Sequence, residues 1–222
     1  MPDQRISFSK TGTARYISHL DLMRTFQRAF LRAGIDIRHT EGFNPHAYVS
    51  ILLPLSVGFS SECEILEFGL LGGIPNSKVP ARLQAALPAG ISVRKCYHAA
   101  RPAKQLIYTN YIITMEYESG VPNGTGNCLR KLLEQDSLVV PKKSKKAKSG
   151  QVQVDIIPLI RKMSLEERED TVIIDAVLKA QNPGLNPELL VTALRSACPD
   201  MAPDFASFHR KAVLDESLRK FE

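Results

Sequence analysis

The sequence predicts an α+β fold of two tandem ferredoxin-like units, each with the element order β-α-β-β-α-β. Strand-like alternation and helical spacing follow one another in this order across residues 5–98, and the order recurs after a polar stretch at residues 99–106. A doubly wound sheet would instead require regular alternation of strands and helices. The length of 222 residues suffices for two such units. We therefore assign residues 1–100 to a first unit and residues 101–222 to a second.

The first unit contains the helix with the clearest local signals. Ser18 can cap its N-terminus, and Asp21 can reach back to the N–H of the cap residue in a variant of the capping box. Gly34 suits the C-terminal end of the same helix. Its apolar face is predicted to consist of Leu22, Phe26, Ala29 and Phe30. The other elements of the unit are expected at residues 6–8, 46–53, 62–71 and 91–97 for the strands and 79–87 for the second helix.

The second unit repeats this order with an insertion. We expect a hairpin from residues 138–140 and 151–157, with five lysines between Lys142 and Lys148 at its tip. Such a tip is either a solubilising loop or mobile counter-charge for a nucleic acid backbone. The remaining elements are predicted at residues 111–117, 172–178 and 205–214 for the strands and at 128–133 and 186–197 for the helices.

The composition excludes several classes of protein and favours a polyanionic partner. An apolar content of 44% argues against a disordered chain, and no apolar segment is long enough to span a membrane or to serve as a secretory signal. The net charge is +6. Residues 1–103 carry 12 basic and 7 acidic side chains, whereas residues 104–222 carry 17 and 16. The excess of positive charge therefore lies in the first half, as expected for a protein that binds a polyanion. The missing secretory signal and the widely spaced cysteines favour a cytoplasmic location.

Four segments of the first half resemble one bacterial family. They are RYISHLDLMR (15–24), RAFLRAGI (28–35), EGFNPHAYVS (41–50) and PLSVGFSSECE (54–64). They resemble the radical-SAM-linked domain family, whose members occur as separate chains or fused behind a radical SAM domain. The resemblance implies an accessory domain that works with a radical SAM partner protein near RNA metabolism.

The cysteines bear on cofactors and on redox state. Cys63, Cys96, Cys128 and Cys198 lie at least 32 residues apart, whereas a [4Fe–4S] cluster needs closely spaced thiolates. We therefore expect no cofactor in this chain, and the radical step would belong to the partner. We also expect reduced, structural thiols and no disulfide framework. A metal site from Glu62, Glu64, Glu67, His39 and His46 is disfavoured because no pair has helical ligand spacing.

Basic residues recur every four positions along the first helix. Such a stripe is either a solvated face or a track for phosphates, which planar guanidiniums suit well. Phe43, on the turn from Gly42 to His46, either covers the core or belongs to a recognition loop in which it stacks on a base or packs on a partner. If the 41–46 turn approaches the loop before the helix, the two together form an anion site. The predicted RNA- or anion-binding residues are Lys10, Arg15, Arg24, Arg28, Arg32, Phe43, Asn44 and His46.

His19 is the one candidate catalytic residue. It is either a structural histidine near a helix N-terminus or a general acid/base that abstracts a 2′-hydroxyl proton. We favour a non-catalytic RNA-binding or adaptor module. The alternatives are a metal-independent endoribonuclease that uses His19 and a domain that only docks to a protein.

Overall fold

The structure is a computed structural model that describes residues 3–144 and 149–222. The chain divides into two compact units. Unit 1 comprises the residues up to Gln105 together with Phe221–Glu222, and unit 2 comprises Leu106–Lys220. Among the described residues, no helix combines the length and apolar character that crossing a membrane requires.

Unit 1 is a four-stranded antiparallel sheet with two helices. Its strands lie in the order β4-β1-β3-β2, through the pairs β1–β4, β1–β3 and β2–β3. The fourth strand of the unit is therefore next to the first, and the third lies between the first and the second. The elements are β1 (Gln4–Lys10), α1 (His19–Arg32), β2 (Val49–Leu52), β3 (Ser60–Phe68), α2 (Val79–Ala86) and β4 (Ile91–His98).

Helix α1 forms as its sequence predicts. The Ser18 hydroxyl accepts a hydrogen bond from Asp21 N (3.2 Å) and donates one to Asp21 Oδ2 (2.7 Å), so the carboxylate contacts the cap's side chain rather than its N–H. Gly34 adopts φ +62° after the last turn, as the end of the helix requires. The four predicted apolar residues are buried, and the Phe26 ring packs 4.8 Å from that of Phe8 on β1.

A buried ion pair lies in unit 1. Arg5 on β1 is only 2% exposed, and its Nε and Nη2 both donate to Oε1 of Glu67 on β3, at 3.0 and 2.7 Å. The ring of Phe221, also 2% exposed, lies 5.1 Å from the Arg5 guanidinium carbon and 4.8 Å from that of Arg101. The guanidinium of Arg5 is therefore enclosed by a carboxylate and an aromatic ring.

Unit 2 has the same strand order and an additional hairpin. Its main strands lie in the order β10-β5-β9-β8, again with the fourth beside the first. Strands β6 and β7 pair only with each other. The elements are β5 (Tyr108–Glu116), α3 (Thr125–Leu133), β6 (Val139–Lys143), β7 (Gln151–Asp155), β8 (Ile160–Glu167), β9 (Thr171–Lys179), α4 (Glu188–Ala197) and β10 (Phe205–Leu214).

The α+β class is thus confirmed, but the second unit differs from the prediction. The predicted hairpin exists, yet it stands outside the main sheet, and the strand next to β9 is β8, which the sequence did not predict. Strand β8 pairs with β9 alone among the described strands, so most of its side chains are exposed and its alternation is weak. Of the lysine tip, Lys145, Lys146 and Lys148 lie outside the described residues.

The prediction of four reduced thiols was wrong for one pair. A disulfide joins Cys128 on α3 to Cys198, the residue that follows α4, across 70 positions of sequence. The two cysteines meet because α3 packs against α4, which no local pattern reveals. Cys63 and Cys96 are half-buried and are not part of a disulfide with any described cysteine.

Candidate anion-binding groove

A groove lined by three arginines runs between α1 and α2 of unit 1. Its cavity volume is about 680 Å³. Among the described residues that line it there is no aspartate or glutamate, and besides the arginines they are short or apolar. We call it the arginine groove. Its lining residues are Thr25, Arg28, Arg32, Ala33, Arg82, Ala85, Ala86, Leu87 and Pro88.

Side chains of α1 form one wall of the arginine groove. Thr25, Arg28 and Arg32 are three and four positions apart, so they lie on one side of the helix. That side faces α2, whose Arg82 supplies the opposite wall. Pro88 follows α2 and bounds the groove where the helix has ended.

The three arginines differ in what they already bind. Arg32 Nη2 donates to the Ala86 carbonyl at the end of α2 (2.6 Å), which ties the two helices together. Arg28 and Arg82 are exposed, and neither makes an ion pair or side-chain hydrogen bond with a described residue. Two guanidiniums are therefore available to an anionic ligand, and the third is held at the groove by a backbone carbonyl.

Arg24 lies outside the groove, on the exposed surface of α1. Its Nη1 is 3.3 Å from Asp21 Oδ1, and both side chains are more than half exposed. The hydrogen bond from Ser18, followed by the contact with Arg24, holds the pKa of the Asp21 carboxyl below its usual value. Of the three arginines predicted to form a stripe on α1, Arg28 and Arg32 line the groove, whereas Arg24 pairs with Asp21 outside it.

The two predicted cationic ligands that precede α1, Lys10 and Arg15, already contact other groups of unit 1. Lys10 is 1% exposed, and its Nζ donates to the Ile17 carbonyl (2.8 Å). Arg15 is half-buried, with its guanidinium carbon 4.9 Å from the centre of the exposed Tyr16 ring. Lys10 thus fastens the loop to β1, and Arg15 lies against an aromatic ring.

The 41–46 turn belongs to the other end of the sheet. Lys10 pairs with Ser61 at one end of β3, whereas Val49 begins β2 opposite Phe68 at the other end. The segment before β2 is attached there, since Arg38 N donates to the Gly69 carbonyl. The 41–46 turn and the loop before α1 therefore lie at opposite ends of this sheet, whereas the predicted anion site required both at the same end.

The turn itself is ordered by polar contacts and exposes an aromatic ring. His46 Nδ1 is 3.1 Å from Thr40 Oγ1 and 3.2 Å from the Asn44 carbonyl. Gln27 on α1 donates to the Ala47 carbonyl (2.9 Å), which holds the turn's base against the helix. Phe43 is fully exposed, so it does not cover the core.

His19 lies away from the arginine groove. It is the first residue of α1 and is half-buried. The nine positions that separate it from Arg28 correspond to a rotation of about 180° around the helix. His19 therefore lies on the opposite side of α1 from the groove. Within the described ranges, no group of three or more His, Cys, Asp or Glu side chains is arranged to hold a metal ion.

Sequence reasoning missed Arg82. Arg28 and Arg32 were found because their spacing is a property of one helix. Arg82 stands alone on α2, and only the packing of α2 beside α1 brings it to the groove. The one local feature that could have indicated Arg82 as an anion ligand is that α2 contains no acidic residue to pair with it.

Fold and groove together define an α+β protein with a cationic groove between two helices. The chain belongs to the family described as "Uncharacterized protein conserved in bacteria (DUF2344)", which matches residues 4–187. No curated protein matches the chain in sequence.

The solved structures that match the chain include the following two. One is a chain of the "Crystal Structure of a Cbf5-Nop10-Gar1 Complex", with 8% identity, a TM-score of 0.52, and coverage of 95% of this chain and 48% of that chain. The other is from the "Crystal structure of the archaeal box H/ACA sRNP Nop10-Cbf5 complex", with 10% identity, a TM-score of 0.44, and coverage of 93% and 46%. The chain spans about half the length of these relatives. At such identities the likeness concerns the fold alone.

Proposed function

We propose that this protein is a non-catalytic RNA-binding module that holds the phosphate backbone in the arginine groove. The observation that carries the proposal is the presence of Arg28, Arg32 and Arg82 around one groove with no carboxylate on its walls. Guanidiniums bind phosphate oxygens through paired N–H donors, and a nearby carboxylate would weaken that attraction. The excess of five positive charges in residues 1–103 supports the same ligand class.

The groove suits backbone binding without sequence preference. Besides Thr25 and the three arginines, its described lining consists of alanine, leucine and proline side chains, which cannot read base edges by hydrogen bonding. No aromatic ring lines it, so it offers no surface for base stacking. Arg24 and the exposed Phe43 lie outside the groove and could add phosphate and base contacts along a longer strand.

We also propose a tandem ferredoxin-like arrangement, a radical SAM protein as partner, and a cytoplasmic location. Both units have the strand order of a ferredoxin-like fold, which supports the tandem arrangement. A radical SAM protein as partner rests on the resemblance of the 15–64 segments alone, and cytoplasmic location rests on composition. The endoribonuclease alternative loses support because His19 and the groove lie on opposite sides of α1.

Salt dependence of RNA binding tests the proposal. Single-strand binding weakens with salt at a slope of about 0.7 per phosphate contact, so three contacts predict about a 100-fold loss of affinity for a tenfold rise in salt. Fluorescence anisotropy with labelled single-stranded RNA measures this slope directly. The double variant Arg28→Gln/Arg82→Gln should reduce the slope from about 2 to about 0.7. Arg32 is left intact because it ties α1 to α2.

The matched control is Arg161→Gln/Lys162→Gln on β8, which removes two exposed cations from unit 2. This variant has the same net charge as the groove variant and should retain the parent slope. Equal slopes and affinities in parent and groove variant would overturn the proposal and favour a domain that only docks to a protein.

A further inference from the structure

Unit 2 contains a second cavity whose character differs from that of the arginine groove. It lies between the β6–β7 hairpin, α4 and the start of β10, and its volume is about 650 Å³. That volume is in the range of small-molecule sites. We propose that this hairpin cavity binds an α-amino acid with an aromatic side chain.

The inner wall of the hairpin cavity is apolar. Leu189 and Val191 of α4 are 7% and 2% exposed, and Phe208 of β10 is 9% exposed. Phe205, at the beginning of β10, lines the same cavity but is 53% exposed. A planar apolar group that enters the cavity therefore meets these buried side chains, among them the Phe208 ring, against which it can stack.

Four charged residues surround this apolar wall, two of each sign. Lys142 and Arg195 are the cations, and Glu188 and Asp204 are the anions. None of the four forms an ion pair with a described residue. The cavity thus holds balanced charges that do not neutralise one another through direct contact, in contrast to the arginine groove.

Existing hydrogen bonds hold both carboxylates in place and leave one oxygen of each for a ligand. Glu188 Oε2 accepts from the Asn186 amide (2.9 Å), and Asp204 Oδ2 accepts from Glu118 N (2.8 Å). Glu188 Oε1 and Asp204 Oδ1 have no partner among the described residues. Arg195 Nη2 makes one long contact with the Pro203 carbonyl (3.4 Å), so its other N–H groups can also receive a ligand.

Charge complementarity selects the occupant. A polyanion would be repelled by Glu188 and Asp204. An uncharged apolar ligand would form no ion pair with any of the four charged side chains. A zwitterion uses both signs: its carboxylate contacts Arg195, beside Lys142, and its ammonium contacts Glu188. The aromatic side chain then lies against Phe208. An aromatic α-amino acid satisfies all three requirements.

Isothermal titration calorimetry with L-phenylalanine up to about 10 mM tests the proposal on the full chain. We expect saturable one-to-one binding. N-acetyl-L-phenylalanine lacks the ammonium, L-phenylalaninamide lacks the carboxylate, and each should bind about tenfold or more weakly, since each loses a charge-assisted hydrogen bond. The pair also separates a free amino acid from a peptide end, which carries only one of the two charges.

Two exposed substitutions extend the test with little risk to folding. Arg195→Gln and Glu188→Gln should each weaken L-phenylalanine binding about tenfold or more. The matched controls, Arg161→Gln and Glu169→Gln, remove exposed charges that do not line the cavity and should bind as the parent does. The proposal is overturned by the absence of saturable binding, by equal affinity for either single-charge analogue, or by parent-like affinity in either cavity variant.

Discussion

The Arg5–Glu67 ion pair gives the sharpest prediction about stability. The change Glu67→Gln keeps the size of the side chain and an oxygen that can accept from Arg5, but it removes the negative charge. Arg5 is 2% exposed and Glu67 14% exposed, so solvent cannot replace the missing carboxylate. Phe221 covers the guanidinium on another side. The substitution therefore leaves a buried positive charge without compensation.

Breaking one partner of such a pair costs about 3–5 kcal/mol. Because the amide oxygen and the Phe221 ring still contact the guanidinium, we expect the lower end, about 3 kcal/mol. With a urea dependence of about 2 kcal/mol per molar, the unfolding midpoint should fall by about 1.5 M. Far-UV circular dichroism is the appropriate signal, since the chain has no tryptophan.

A double variant separates the charge effect from packing. Arg5→Met/Glu67→Met replaces both ions by apolar side chains and should regain most of the lost stability, as replaced buried ion pairs often do. A Glu67→Gln midpoint within the error of the parent would refute the reasoning, because it would mean that the Arg5 charge does not depend on Glu67. A double variant less stable than Glu67→Gln would refute the assignment of the loss to charge.

Three further predictions concern backbone, pH and thiol reactivity. Gly90→Ala should lower the free energy of unfolding in urea by about 3 kcal/mol, because its φ is +84° and a Cβ would lie 2.5 Å from the Thr11 carbonyl oxygen. Gly34→Ala, where φ is +62° and the Cβ would meet open space, should lower it by about 1 kcal/mol, and equal losses would contradict the steric explanation. Burial raises the pKa of Cys96 from 9.0 to about 11 and that of Tyr97 from 10.0 to about 12, so folding disfavours their ionisation and the free energy of unfolding should decrease as pH rises from about 9 to 12. Urea unfolding at a series of pH values should show a smaller decrease for Cys96→Ala/Tyr97→Phe than for the parent, and an unchanged slope would count against this explanation. The Cys96 thiol should react with iodoacetamide much more slowly in folded than in urea-unfolded protein at pH 9, as followed by mass spectrometry, and equal rates would disprove its protection.

The sequence predicted those features that depend on neighbouring residues. Helix α1 has its cap, its apolar face and its terminating glycine within 17 positions, from Ser18 to Gly34, so each signal could be recognised locally. Strand β8 has no comparable signal, because an edge strand buries few side chains and its alternation is correspondingly weak. The hairpin was recognised from its alternation, but its separation from the main sheet is a property of tertiary packing.

The candidate site shows the same division. The four-residue spacing of Arg28 and Arg32 is enough to indicate a shared helix face, whereas Arg82 joins them only through the packing of α2. Lys10 is a plausible phosphate ligand by residue type, but its burial depends on the fold of the loop that brings the Ile17 carbonyl to it. Residue type and spacing therefore led to the proposed class of ligand, and tertiary packing determines which cations line the groove.

The position of Phe221 in unit 1 has a consequence for the order in which the chain folds during synthesis. All strands and α-helices of unit 1 lie within residues 4–98, so they can assemble on the ribosome while the rest of the chain is being made. The ring that covers Arg5 is added more than a hundred residues later. The nascent unit therefore exists first with one side of its ion pair open to water, and it acquires its final cover only after residue 221 has left the exit tunnel.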